Sequence, residues 1–214
     1  SNCYKTENLL AENSFYSMSI INGINTNRED FKKNTNHLGV LSGGMQINCV
    51  YNATHGVKKD VFECAINLAF DIATSPVQKL IENWDEACDK LPQGMPLYQG
   101  AHSQGTIHVR NALRIYNEKS PERSKRIMYF AFGSAAFTDP SLCRSSHHYI
   151  SMRDCVWIFD AFNFLSNREH VTFLTPAEGA DLFDHAFTSP TNEKAIEDSV
   201  TTYKAAVDRY FTEN

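Results

Sequence analysis

Short apolar runs and helix-period stretches take turns along this chain from residue 17 to its end, and that alternation restricts it to a small set of architectures. Runs dense in Ile, Val, Tyr and Phe occupy residues 17–21, 46–51, 96–101, 126–132, 148–152 and 171–175. Most lack a polar face, so they read as strands buried on both sides, as parallel strands covered by helices are. The stretch that opens with Ser75-Pro76 places a cap residue and a proline at a helix start, and Val77, Leu80, Ile81, Trp84, Ala87, Cys88 and Leu91 recur every three or four positions. A second helix follows Asn27, with Glu29 and Asp30 where carboxylates oppose the positive helix end. Val61, Phe62, Ala65, Ile66, Ala69 and Phe70 mark a third, and Ile196, Val200, Tyr203, Val207 and Tyr210 share one face of a long C-terminal helix. Right-handed crossovers between such elements give a mostly parallel, six-stranded sheet in a three-layer α/β/α arrangement, with ligands bound outside the carboxyl ends of its strands.

At 214 residues the expected organisation is one domain with a core of its own. The net charge of −5 and the absence of a Lys/Arg block argue against binding to nucleic acid or to an anionic membrane, because phosphate affinity comes from clustered positive charge. The longest apolar stretch, residues 127–137, is interrupted by Gly133 and Ser134 and falls short of the about 20 residues a bilayer needs. No basic segment leads into an apolar core and cleavage site. The opening Ser1-Asn2 reads as the remainder of a cleaved tag, so the chain is expected to come from a longer protein whose other parts carry any targeting or membrane segments. Cys3, Cys49, Cys64, Cys88, Cys143 and Cys155 are scattered without a C-x-x-C pair, which reads as reduced, mostly buried thiols in the cytoplasm or another reducing compartment.

Residues 97–110 read LYQGAHSQGTIHVR. An apolar strand runs into a tight turn and then into a helix with Ile107, Ala112, Leu113 and Tyr116 on its inner face. This is the setting of a nucleophile elbow, with Ser103 as the nucleophile. A sharp, strained turn lifts the serine oxygen above the sheet, and only very small residues fit two positions before and after it; Ala101 and Gly105 meet that demand. The pattern departs from G-x-S-x-G by one methyl. At the helix N-terminus, the Gln104 N–H is placed to stabilise an oxyanion. The plain alternative is an ordinary turn in which Ser103 caps the helix.

With these residues the chain resembles the α/β-hydrolases of the serine lipase and esterase type. The resemblance runs from Ser17 to about Phe187, with the family's first two strands absent or replaced by residues 1–15. More weakly, the chain resembles an uncharacterised bacterial family of hydrolase-like proteins described in chlamydiae, which implies no activity. In the α/β-hydrolase order the acid and then the base follow the serine. The resemblance implies Asp154, just past the strand two beyond the nucleophile strand, as the acid. Asp139 in FTDP is the alternative acid, and Asp160 a more distant one. It implies His185 in LTPAEGADLFDHAFTSP as the base. A second oxyanion donor is expected from Gly23, Ile24 or Asn25, although NGIN differs from the histidine-glycine and glycine-rich loops common in the family, and an Asn/Gly turn without a ligand role is the other reading.

His102 is expected to pack beneath the elbow, pointing away from Ser103. His147, His148 and His170 have no helical i,i+4 partner or carboxylate, so no metal is expected, and the chemistry calls for no cofactor. His55-Gly56 reads as an ordinary loop that could reach the cleft mouth, Asn52-Ala53-Thr54 as an accidental glycosylation sequon, and residues 42–44 as a turn. The implied activity is cleavage of a small acyl ester or lipid by a Ser-His-Asp serine hydrolase, of carboxylesterase or lipase type. Trp157, Ile158, Phe159, Phe162, Phe164, Phe183 and Phe187 either receive the acyl group or belong to the core. The alternative is a catalytically silent scaffold that binds a lipid or protein, a reading kept open by the altered elbow, the unfamiliar oxyanion loop and the lack of an evident lid.

Overall fold

A computed structural model describes residues 16–23, 26–51 and 74–214, together with the backbone of residues 2–5. In chain order the elements are β1 (Asn2–Lys5), β2 (Met18–Ile21), α1 (Arg28–Leu41), β3 (Ile47–Tyr51), α2 (Ser75–Lys90), β4 (Leu97–His102), α3 (Gly105–Lys119), α4 (Pro121–Ser124), β5 (Ile127–Phe132), β6 (Ser145–Ser151), α5 (Ala161–Asn167), β7 (Val171–Leu174) and α6 (Pro190–Glu213). The strands form one sheet in the order β1-β3-β2-β4-β5-β6-β7. From β3 to β7 every neighbouring pair is parallel. All six expected strands are present. β6 begins at Ser145 rather than at residue 148, and β1 adds an antiparallel edge, pairing Asn2 with Tyr51 and Lys5 with Asn48. The expected helix at residues 61–70, His55-Gly56 and the sequon lie outside the described residues.

The sheet separates two cores because side chains alternate between its faces. Met128, Phe130 and Phe132 of β5 join Phe31 and Leu38 of α1 and Ile196, Val200, Tyr203 and Val207 of α6. Ile127, Tyr129 and Ala131 point the other way, into Val77, Leu80 and Trp84 of α2 and Val109, Ala112 and Leu113 of α3. A strand flanked by helices on both faces therefore has no polar side to show, which is why these runs look continuous in the sequence. The one amide inside β4, Gln99, is 1% exposed. It accepts from Trp84 Nε1 at 2.9 Å and from the Ser19 hydroxyl, and donates to Gly100 O at 2.7 Å. Left unpaired, such a group would cost about 1–3 kcal/mol.

Asn27 caps α1 by accepting from Asp30 N at 2.8 Å. Cys49, Cys88, Cys143 and Cys155 are free thiols, the last one exposed. Among the described residues no helix is long and apolar enough to cross a membrane.

Candidate active site

The segments that follow β2, β4, β5, β6 and β7 converge on one rim of the sheet. Ser103 follows the last residue of β4 and has φ +54°, a left-handed conformation costly for any residue with a β-carbon. The turn is held on both sides: Ser103 N donates to Phe132 O at 3.2 Å, and Ser103 O accepts from Thr106 N at 3.0 Å and from Thr106 Oγ1 at 2.7 Å. The same Thr106 oxygen accepts from the amides of Ala135 and Ala136 at 3.0 Å, so one buried hydroxyl ties the elbow to the loop after β5. Nothing in the sequence singles Thr106 out, since its role depends on a loop far along the chain.

Ser103, His185 and Asp154 form a hydrogen-bonded chain. The Ser103 hydroxyl donates to His185 Nε2 at 2.8 Å, and His185 Nδ1–H donates to Asp154 Oδ2 at 2.7 Å. Asp154 is 4% exposed, and its other oxygen accepts from Val156 N at 2.9 Å, so both carboxylate oxygens are engaged. The imidazole remains open to solvent, with 28% of the side chain exposed. The site thus joins a buried carboxylate, through a partly exposed imidazole, to a serine that is 4% exposed.

Glycines make this convergence sterically possible. A Cβ on Gly133, whose φ is +58°, would lie 2.9 Å from Asp154 Oδ2 and 3.1 Å from His185 Nδ1. A Cβ on Gly105 would lie 2.8 Å from Ile21 O and 2.9 Å from Asn22 O, both backbone atoms that cannot swing aside. Gly105→Ala is therefore expected to lower stability by about 1–3 kcal/mol, whereas Gly39→Ala, with open space around the same substitution inside α1, is expected to raise it by about 0.5–1 kcal/mol. Urea midpoints at unchanged slope check the opposite signs.

Gly23 also reaches the elbow: a Cβ there would sit 2.6 Å from Ser103 Cβ and 3.3 Å from Gln104 N. The loop after β2 and the start of α3 thus flank the Ser103 oxygen together. Ile24 and Asn25 lie outside the described residues.

The other carboxylates serve elsewhere. Asp139 caps its own turn, accepting from Ser141 N at 2.8 Å, and the Ser141 amide, followed by its hydroxyl, holds the Asp139 carboxyl below the usual carboxylate range. It lines a cavity of about 400 Å³ with Arg110, Arg114 and His170 instead of meeting the imidazole. Asp160 is buried against Arg110 at 3.3 Å and accepts from Phe137 N at 2.8 Å. That is an anchor for the loop after β5, and removing one partner of such a buried pair typically costs about 3–5 kcal/mol.

His102, expected to pack beneath the elbow, lies with its ring centroid 5.0 Å from that of His185 and 5.9 Å from that of Phe187. Its Nε2–H donates to the backbone oxygen of His185 at 2.6 Å. Burial first, and then the neighbouring His185, lower its pKa to about 3, so it stays neutral and places no charge beside the imidazole. His148 is buried within hydrogen-bond reach of Ser134, at 2.7 Å, and of Ser146, at 3.2 Å. His147 meets Thr172 at 2.8 Å. Of the apolar residues around the site, Phe187 is core at 2% exposed. Phe164 packs on Phe137, Trp157 and Phe173, while Ile158, Phe159, Phe162 and Phe183 are exposed.

No family model matches the chain, and no curated protein matches it in sequence. Solved structures do match it in fold. One is a fungal esterase from Rhizomucor miehei, with a TM-score of 0.61 at 10% identity over 99% of this chain and 80% of that one. Another is a thermophilic carboxylesterase cloned from a metagenomic library, with 0.53 at 8% identity over 90% of this chain and 81% of that one. A third is α/β-hydrolase domain-containing protein 10 from mouse, with 0.50 at 12% identity over 97% of this chain and 94% of that one. The chain has the α/β-hydrolase fold: a three-layer α/β/α architecture on six parallel strands, here with an antiparallel edge strand added.

Proposed function

We propose that this protein is a serine hydrolase that cleaves small acyl esters through an acyl-enzyme. The observation that carries the reading is the Ser103 hydroxyl on a strained strand-to-helix turn, 2.8 Å from an imidazole nitrogen whose opposite nitrogen is held by a buried carboxylate. Ser103 Oγ attacks the ester carbonyl carbon while His185 Nε2 takes the hydroxyl proton. Asp154 holds the imidazole in the tautomer that leaves Nε2 free to accept, and stabilises the cation once it forms. The oxyanion is met by the Gln104 N–H and by amides of the Gly23–Asn25 loop. The tetrahedral adduct collapses, the alkoxide leaves with the proton from His185, and the acyl group stays on Ser103. Water, deprotonated by the same imidazole, then releases the acid and returns the hydroxyl proton. Esterases among the structures of like fold support an ester as substrate. The exposed Ile158, Phe159, Phe162 and Phe183, which flank the acid and the base in the chain, support an apolar acyl group.

A fluorophosphonate probe tests the chemistry, because it phosphonylates only an activated serine, with loss of fluoride. The native protein is expected to take up one label at neutral pH. A folded sample that takes up none overturns the reading and leaves a silent scaffold. A series of p-nitrophenyl esters tests the acyl surface: kcat/KM is expected to rise roughly fourfold per added methylene over the short chains, the equivalent of about 0.8 kcal/mol per buried CH2. A flat profile would remove the apolar acyl contact and leave the three polar residues untouched.

A further inference from the structure

Among the described residues only two without a glycine's freedom adopt positive φ: Ser103, and Asp184 at +45°. Asp184 directly precedes His185. Strain of this kind persists only where the surroundings over-determine it, and Asp is among the few residues that tolerate it. The surroundings here are unusually specific. The Asp184 carboxylate is buried, at 2% residue exposure, and it gathers hydroxyls from both ends of the rim. Oδ2 accepts from the hydroxyl of Ser151, the last residue of β6, and from Thr191 Oγ1 at 2.7 Å, while Oδ1 accepts from the hydroxyl of Ser189, which caps α6. Thr191 Oγ1 in turn accepts from Ala177 N at 3.0 Å, so both ends of the connection between β7 and α6 are tied to this one group. On the other side, His102 Nε2–H holds the His185 carbonyl. Burial alone would raise the Asp184 pKa, but the three hydroxyls, with Arg153 nearby, outweigh it and hold the group below its ordinary value, as an anion.

We propose that Asp184 is a positioning residue: bound to Ser151, Ser189 and Thr191, its carboxylate fixes the strained turn that aims the His185 ring between Asp154 and Ser103. Ser151 lies in the strand that ends just before Asp154, so the carboxylate locks the base to the element that carries its acid. Asp184 does not touch the imidazole or the reacting atoms; it acts through the backbone. The proposal rests on the reading of His185 as the base.

The test compares kcat and KM for p-nitrophenyl acetate in the full chain, with thermal midpoints alongside. Asp184→Asn keeps the tolerance for positive φ and removes the symmetrical acceptor. It is expected to lower kcat by about tenfold to a hundredfold with KM within twofold, the cost of misplacing a reacting group by about an ångström. Ser189→Ala removes one hydroxyl and keeps the charge, with a drop in kcat of about threefold to tenfold expected, and it decides the matter if Asp184→Asn does not fold. Unchanged kcat in the folded variants overturns the proposal, and so does a loss shared equally between kcat and KM, which would mean general loosening. A wild type that is neither labelled by fluorophosphonate nor active on esters overturns the hydrolase reading itself, and the positioning role falls with it.

Discussion

Ser103→Ala is expected to lower ester turnover by about a hundred-thousandfold to a millionfold and to abolish fluorophosphonate labelling, because it removes the hydroxyl on which the proposed acyl-enzyme forms. The fold should survive it. The elbow is held by the Ser103 backbone, through Phe132 O and Thr106, and none of these bonds involves the hydroxyl that is lost. Ser103→Gly separates the two roles further: it removes the same hydroxyl and also relieves the strain of φ +54°, so it is expected to be inactive and more stable by about 1 kcal/mol. Turnover of p-nitrophenyl acetate and the urea midpoint, measured on the same preparations, read the two effects. Residual turnover near wild type in Ser103→Ala would move the chemistry to another group.

Asp154→Asn carries the second large effect, a fall in turnover of about ten-thousandfold, and the local hydrogen bonds dictate how it arises. Val156 N–H donates to one oxygen of Asp154 at 2.9 Å. An asparagine there keeps its carbonyl oxygen on that amide and turns its NH2 toward His185 Nδ1. The imidazole must then accept at Nδ1 and carry its proton on Nε2, where it can no longer take one from Ser103. Geometry is preserved and the tautomer is wrong. Asp139→Asn is the matched control, because its carboxylate caps a separate turn, and turnover within about twofold of wild type is expected. A larger loss in Asp139→Asn than in Asp154→Asn would exchange the two assignments.

The strands that could be read were those that had to be apolar. β2, β4 and β5 are buried on both faces, so their composition alone marks them. β6 was foreshortened because Ser145, Ser146 and His147 break the apolar run; Ser146 and His148 are nevertheless buried, within hydrogen-bond reach of each other at 3.2 Å. β1, with the sequence NCYK, has no periodicity to detect. Its pairing with β3 is a backbone property.

The candidate site divides along the same line. Ser103, Asp154 and His185 each follow a strand, and in a right-handed parallel sheet all strand ends with that polarity reach one rim; the elbow pattern pointed to Ser103, and the family resemblance to the other two. The small residue at position 105 was legible from the tightness of the turn. The resemblance favoured Asp154 over Asp139, but strand position alone did not, because both follow a strand, and the path of the intervening loops determines which carboxylate faces the imidazole. Gly133, Thr106, His102 and Asp184 were invisible as partners of the site for the same reason. Their bonds run to residues distant in the chain: His102 to His185, Thr106 to Ala135, Asp184 to Ser151. Periodicity and local chemistry determine which segments become strands and helices and which polar groups stand at their ends, since burial of apolar faces acts on every few residues independently. Which of those groups touch, and how firmly the turns that carry them are held, is decided by packing at ångström precision between segments the chain brings together only when it folds.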